Sequence, residues 1–534
     1  MENQANNKKQ FLIRNTIIAI FGLALFLTLA FSSRSNSSEN DMSQTSLIPI
    51  PVQIEDSEGS FELTSRTAIL ISENEAEIES VANYLSEFLK PATGFDLPVK
   101  QNSEENSRSG NIILALSKDS EFQNEEAYIL EVLDENVHLE ASSSEGLFRG
   151  IQTLRQLLPA EIESNTVQDI KWNITSGKIK DHPQYSYRGA MLDVSRHFFS
   201  VEEVKQYIEF LAAYKMNKLH LHLSDDQGWR IEIKKWPKLT SIGGSKEVGD
   251  TEGGFYTQED YKEIVKYAQK HYIIVVPEID MPGHTNAALA SYPELNCDDK
   301  SPELYTGIEV GFSSLCVDKE LTYEFIDDVI GEIAAITPGP YFHIGGDESH
   351  ATSKEDYNYF INRVQKIVKK YGKKIIGWDE IQTAAIEEGV IAQFWASEEN
   401  AVAAKKKKAK ILMSPSKRAY MDMQYDSLSP LGLHWAAYIE VDDAYDWNPS
   451  NLVPEITKDD IVGIEAPLWT ETIEDIEDVE YMVFPRLPGY AEIGWSPDSL
   501  RNWEEYKIRL GKQYKRFKIM DLNFYESPKV PWEK

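Results

Sequence analysis

Residues 341–350 read YFHIGGDESH: a short apolar run, two glycines, then adjacent carboxylates at Asp347 and Glu348. Two neighbouring acids can divide the work of breaking a bond, one moving a proton and the other steadying a developing charge. Adjacency alone proves nothing in a chain of 534 residues with 87 Asp and Glu, and acidic pairs also stand at 225–226, 298–299, 327–328 and 379–380. A second set of chemical groups lies in HLHLS, where His220 and His222 alternate along a strand and share one face. Such a pair, with His284 and several Asp, is also the donor set of a metal-dependent amidohydrolase such as a sugar deacetylase.

The elements that must hold these groups follow from about residue 185 onward. Eight apolar strand patterns alternate with amphipathic helices: YRGAMLDVS, KLHLHLS, YIIVVPEID, YFHIGGD, KKIIGWD, VIAQFW, KILMSP and IVGIEAPLW. Ser200 and Glu203 form a capping box before Val201, Val204, Ile208 and Leu211, and Thr257 with Asp260 opens the next helix. Eight buried strands with intervening helices predict a (β/α)8 barrel, whose reacting groups gather where the strands end. The strand ends carry Asp193 and Arg196; Asp225 and Asp226; Glu278, Asp280 and His284; Asp347 and Glu348; Trp378 and Asp379; Trp395; Tyr420 and Asp422; Trp469 and Glu471. Carboxylates that hold hydroxyls and indoles that cover an apolar ring face make a sugar site.

These motifs carry a resemblance. HIGGDE at 343–348, LDVSRHF at 192–198, HLHLSDDQGWR at 220–230, PEIDMPGH at 277–284 and APLWTE at 466–471 are similar, in order, to the β-N-acetylhexosaminidases of glycoside hydrolase family 20. The resemblance spans about 180–520 and implies an exo-acting enzyme that removes terminal GlcNAc or GalNAc with retention of configuration. It implies Glu348 as general acid and then base, and Asp347 as the group orienting the substrate's own 2-acetamido nucleophile. Tyr420 would hydrogen-bond the acetamido oxygen, while Trp378, Trp395 and Trp469 wall the pocket. Arg196 and Glu471 would grip ring hydroxyls with Asp422 close by, and Asp225 and His284 would form a relay to Glu348. Neighbouring acids are badly placed to straddle a bond as the two carboxylates of ordinary retaining enzymes do, so a nucleophile supplied by the substrate accounts for their adjacency. Gly345 and Gly346 are expected to let the backbone turn tightly and approach the sugar without a Cβ in the way. No cofactor and no metal are implied. The alternatives are the metal-dependent amidohydrolase and a carbohydrate-binding protein without turnover.

The rest of the chain sets the context. A formal charge of −33 argues against nucleic acid as partner, and the one basic run, AKKKKAK at 404–410, reads as a solvated helix end. Lys8, Lys9 and Arg14 precede sixteen uncharged residues and the small-residue site AFS at 30–32. Residues 1–32 are therefore an export signal or an uncleaved membrane anchor, and the protein is expected in the periplasm, outside the cell, or on the outer face of a membrane. Residues 33–46 read as a polar linker with nothing to bury, 47–180 as a small non-catalytic α/β domain, 181–520 as the barrel and 521–534 as a tail. Cys297 and Cys316, the two cysteines, are a disulfide in an exported protein, or else two buried thiols.

Overall fold

The computed structural model describes residues 42, 45–72, 76–103, 109–117, 122 and 124–534; the export or anchor segment lies outside these. The barrel strands are β8 (Tyr187–Asp193), β9 (Lys218–His222), β10 (Ile274–Glu278), β11 (Tyr341–His343), β12 (Lys374–Trp378), β13 (Ile391–Phe394), β14 (Lys410–Met413) and β15 (Ile461–Ala466). They close in parallel in the order β10-β11-β12-β13-β14-β15-β8-β9. All eight coincide with the apolar runs of the sequence, because a strand covered by helices on one side and the barrel interior on the other has no polar face. β8 and β9 are buried at every residue. Both expected capping boxes form, at Ser200 and Thr257, each satisfying two otherwise orphaned helix N–H groups.

The barrel interior is layered. Tyr187, Val276, Ile376, Ile391 and Leu412 form an apolar plug near the lower end. Among the polar side chains above it, Glu278 pairs with His220 at 3.0 Å, His222 at 2.5 Å and His343 at 2.7 Å, and Glu465 with His220 at 2.8 Å. This plugged interior directs any open space to the rim.

Ahead of the barrel, a seven-stranded sheet spans β1 (Gln53–Leu63) to β7 (Trp172–Asp181), with helices Ala76–Thr93 and Ser144–Leu157 packed against it. Arg188 of β8 binds Glu126 of this domain, Nη1 to Oε1 at 3.0 Å, and Arg149 Nε donates to the same carboxylate at 2.9 Å. Burial would raise Glu126, but the two guanidiniums hold it down at about 2, so the ionised carboxylate welds the domains. Two sequence expectations need correction here. Met42, within the supposed linker, is fully buried in the small-domain core. The final residues are a packed part of the barrel rather than a loose end, with Leu522, Phe524 and Val530 in its core. Cys297 and Cys316 are joined, their Cα atoms 4.8 Å apart.

Candidate active site

The turn after β11 explains the glycines. Gly345 and Gly346 have φ of +63° and +102°, values that favour residues without a Cβ. A Cβ on Gly345 would fall 1.8 Å from Asp280 Oδ1, and one on Gly346 2.8 Å from the Tyr357 hydroxyl. The tight turn is as expected, but the missing Cβ atoms make room for protein neighbours rather than for the sugar. Asp280 Oδ1 accepts from Gly346 N at 2.9 Å, and Tyr357 OH donates to Gly346 O at 2.6 Å. The turn delivers Asp347 and Glu348 to the rim. Glu348 and His284 themselves sit in the left-handed region, at φ +44° and +55°, a strained placement typical of functional residues.

A pocket of roughly 220 Å³ opens there. Arg196, His284, Asp347, Glu348, Trp395, Tyr420, Trp469 and Glu471, all singled out in the sequence, line it. Three others stand behind the lining. Asp225 accepts from Arg196 Nη2 at 2.9 Å and pairs with His222 and His284 at 2.8 and 3.1 Å. Trp378 is buried under Trp469, ring centroids 5.7 Å apart, and donates its indole N–H to Glu278 at 3.0 Å. Asp422 is buried, and neither carboxylate oxygen meets a protein donor. The sequence reading missed Ile308, Val310, Leu433 and Trp435, which complete the wall. Trp435, in the loop after β14, approaches Trp395 and Tyr420 at 6.1 and 5.9 Å, and an aromatic so close in sequence to Tyr420 was the available signal. Larger grooves of 860, 620 and 780 Å³ lie on the small domain or beside it, away from the strand ends.

The electrostatics differ from the simple relay. His284 Nε2 lies 3.7 Å from both Asp347 Oδ2 and Glu348 Oε2, so it serves the pair rather than Glu348 alone. Burial lowers its basicity, but Asp225 and then Asp347 outweigh this and raise it well above the usual imidazole range. Asp347 is pushed well above the usual carboxylate range by burial and then by Asp280, His284 opposing and Glu348 adding. Asp347 Oδ1 is buried without a partner, as is Arg196 Nε. Burial and then the Asp422 and Asp347 charges keep the Tyr420 phenol protonated, a hydrogen-bond donor facing the pocket.

The HLH pair is committed elsewhere. Both nitrogens of His220 face carboxylates, Glu278 at 3.0 Å and Glu465 at 2.8 Å. Burial lowers its pKa, yet Glu465 and Glu278 lift it to about 9, so a metal would have to displace a proton held between two carboxylates. His222 is likewise bracketed by Glu278 and Asp225. The donor set at the pocket itself is Asp280, His284 and Asp347, where the other ring nitrogen of His284 pairs with Asp225 at 3.1 Å.

Comparison with known proteins agrees with this geometry. The profile of glycosyl hydrolase family 20, catalytic domain, matches residues 185–358 and 350–498, and that of the family's domain 2 matches 44–182. A β-N-acetylhexosaminidase of Cellulomonas fimi is 39% identical over 495 residues, covering 92% of this chain and 98% of that protein. The GH20 β-N-acetylhexosaminidase of Streptomyces coelicolor A3(2) superposes with TM-score 0.88 at 49% identity, over 91% of this chain and 99% of the other. The Streptomyces plicatus N-acetyl-β-hexosaminidase in complex with Thio-NAglucal gives 0.89 at 48%, over 92% and 99%. With a closed barrel, a matching companion domain and a rim of acids and indoles, this chain belongs to glycosyl hydrolase family 20.

Proposed function

We propose that this glycoside hydrolase is an exported, exo-acting β-N-acetylhexosaminidase that removes terminal GlcNAc or GalNAc with retention, using the substrate's own acetamido group as nucleophile. The observation that carries this reading is Asp347 Oδ1, a buried acceptor without a partner, beside Glu348 and among Trp395, Tyr420 and Trp469. An amide N–H donated to Asp347 would favour its carboxylate, opposing the burial that raises it. The acetamido carbonyl oxygen, held by the Tyr420 hydroxyl, then attacks C1. The C1–O bond to the leaving group breaks, and Glu348 gives that oxygen its proton. Glu348 next takes a proton from water, which opens the cyclic intermediate and restores the acetamido group. A pocket below the ~300–1,000 Å³ that houses drug-sized ligands suits one ring at a chain end. The complex of a mutant S. plicatus β-hexosaminidase with product GlcNAc is consistent with such a ligand.

The paired test uses aryl GlcNAc, aryl GalNAc and a plain aryl glucoside, with a thiazoline inhibitor. Glu348→Gln is expected to abolish turnover of natural glycosides while sparing much of it for very good leaving groups. Asp347→Asn is expected to lose about 10²-fold or more on both. Near-normal activity of Asp347→Asn, or equal turnover of the plain glucoside, sinks the mechanism.

A further inference from the structure

Glu380 takes no part in these steps, yet it is joined to the pocket wall. It lies in the 3-10 turn Asp379–Thr383 after β12, and its Oε2 accepts the indole N–H of Trp395 at 3.0 Å. The preceding Asp379 accepts the main-chain N–H of Trp395 on Oδ2 at 3.1 Å and the Asn400 side-chain amide on Oδ1 at 2.7 Å. Two consecutive carboxyls of one strand end thus hold the tryptophan of the next, one by its backbone and the other by its ring.

The other aromatic walls are supported differently. Trp469 has the Arg196 guanidinium 4.8 Å from its ring centroid, the His222 edge at 4.9 Å and Trp378 at 5.7 Å. The ring neighbour of Trp395 is Trp435, at 6.1 Å and itself 56% exposed, which is weak restraint against rotation about the side-chain bonds. The Glu380 bond therefore decides where that indole face stands.

We propose that Glu380 is a positioning residue that fixes the Trp395 indole as one wall of the acyl pocket and thereby sets the size of N-acyl group the enzyme accepts. This rests on the reading that the substrate's amide enters that pocket. Burial, then the Asp379 and Asp347 charges, push the Glu380 carboxyl well above the usual range. The role asked of it is that of an acceptor for the Trp395 indole N–H at 3.0 Å, and the amide oxygen of glutamine, on a side chain of the same shape, should fill it.

The experiment compares aryl 2-acetamido- and 2-propanamido-2-deoxy-β-glucosides. Glu380→Gln is expected to keep the wild-type ratio of kcat/KM within about twofold. Glu380→Leu fills the space but accepts no hydrogen bond. It is expected to raise KM for the acetamido substrate about tenfold, with a smaller change in kcat, and to erode the preference over propanamide at least fivefold, out of the roughly 10–200-fold that one methylene is worth. Trp395→Phe removes the same bond from its other end and is expected to erode the preference likewise, which covers failure of the leucine variant to fold. An unchanged ratio in Glu380→Leu or Trp395→Phe overturns the proposal, as does a loss in Glu380→Gln equal to that in Glu380→Leu. Wild-type turnover of the plain glucoside serves as the separate control, since it alone reports failure of the amide-participation reading.

Discussion

Glu278 is the residue around which the polar interior of the barrel is arranged. Burial would raise its carboxyl, but His343, His222 and His220 together hold it well below the usual range. Of these, His220 rises to about 9 from 6.5 while His343 is lowered, chiefly by burial, so adjacent imidazoles are shifted in opposite directions. Protonated His220 contributes its stability in full below about pH 6.5 and loses it as pH climbs through about 9, a swing on the order of 3 kcal/mol. The melting temperature is therefore expected to fall between about pH 6.5 and 9.5, and His220→Asn is expected to make that slope shallower, the raised His222 and His284 supplying the rest. An unchanged slope in the variant would remove His220 from this account. Nothing in the sequence announced Glu278 as a hub, because its partners come from β9, β11 and β12 and meet only when the barrel closes. By contrast, Asp347, Tyr420 and Trp469 were legible, since each lies within a few residues of the end of an apolar strand and has no comparable structural duty.

Among the elements, the β11 turn does the most positioning with the least chain. Three strand residues are enough to aim Asp347 and Glu348, because Asp280, Tyr357 and the Trp378 N–H, 3.0 Å from Gly345 O, fix the turn from three sides. Gly345→Ala combines a clash with Asp280 and a left-handed backbone, and is expected to cost about 2–4 kcal/mol. Turnover should fall along with the melting temperature, because the displaced element is the one bearing both acids. A stable, active alanine variant would show that the turn tolerates a Cβ. The strands were readable from their apolar runs and the helices from their caps. The loops bearing Ile308, Val310 and Trp435 were not, because a loop's path follows tertiary anchors rather than periodicity. The glycines, rightly read as a tight turn, were misread only in their neighbours: the sequence shows that a Cβ is unwelcome but not what would meet it.

For the molecule as a whole, the disulfide and the domain junction matter most. The Cys297–Cys316 bond closes the segment that carries Ile308 and Val310 to the pocket mouth. Within that segment Ser313 Oγ donates to Asp226 at 2.5 Å, and Thr285 N donates to Ser313 Oγ at 2.8 Å. Replacing both cysteines by serine is expected to cost about 3 kcal/mol for a loop of this length, read as a lower melting temperature, with activity falling as the mouth loosens. Equal melting of variant and parent would show that the hydrogen bonds suffice. The two-domain plan was readable in outline from the shift in strand pattern. The weld was not, since Arg188, Arg149 and Glu126 lie far apart in the chain.

The partnerless buried atoms of the rim, Asp347 Oδ1, Arg196 Nε and both oxygens of Asp422, bear on how one sugar is told from another. In the proposed reaction, discrimination would work by default rather than by collision: a hexose lacking the nitrogen substituent would fit the space but leave an acceptor stranded, and the cleft would reject what is too plain more firmly than what is slightly too large.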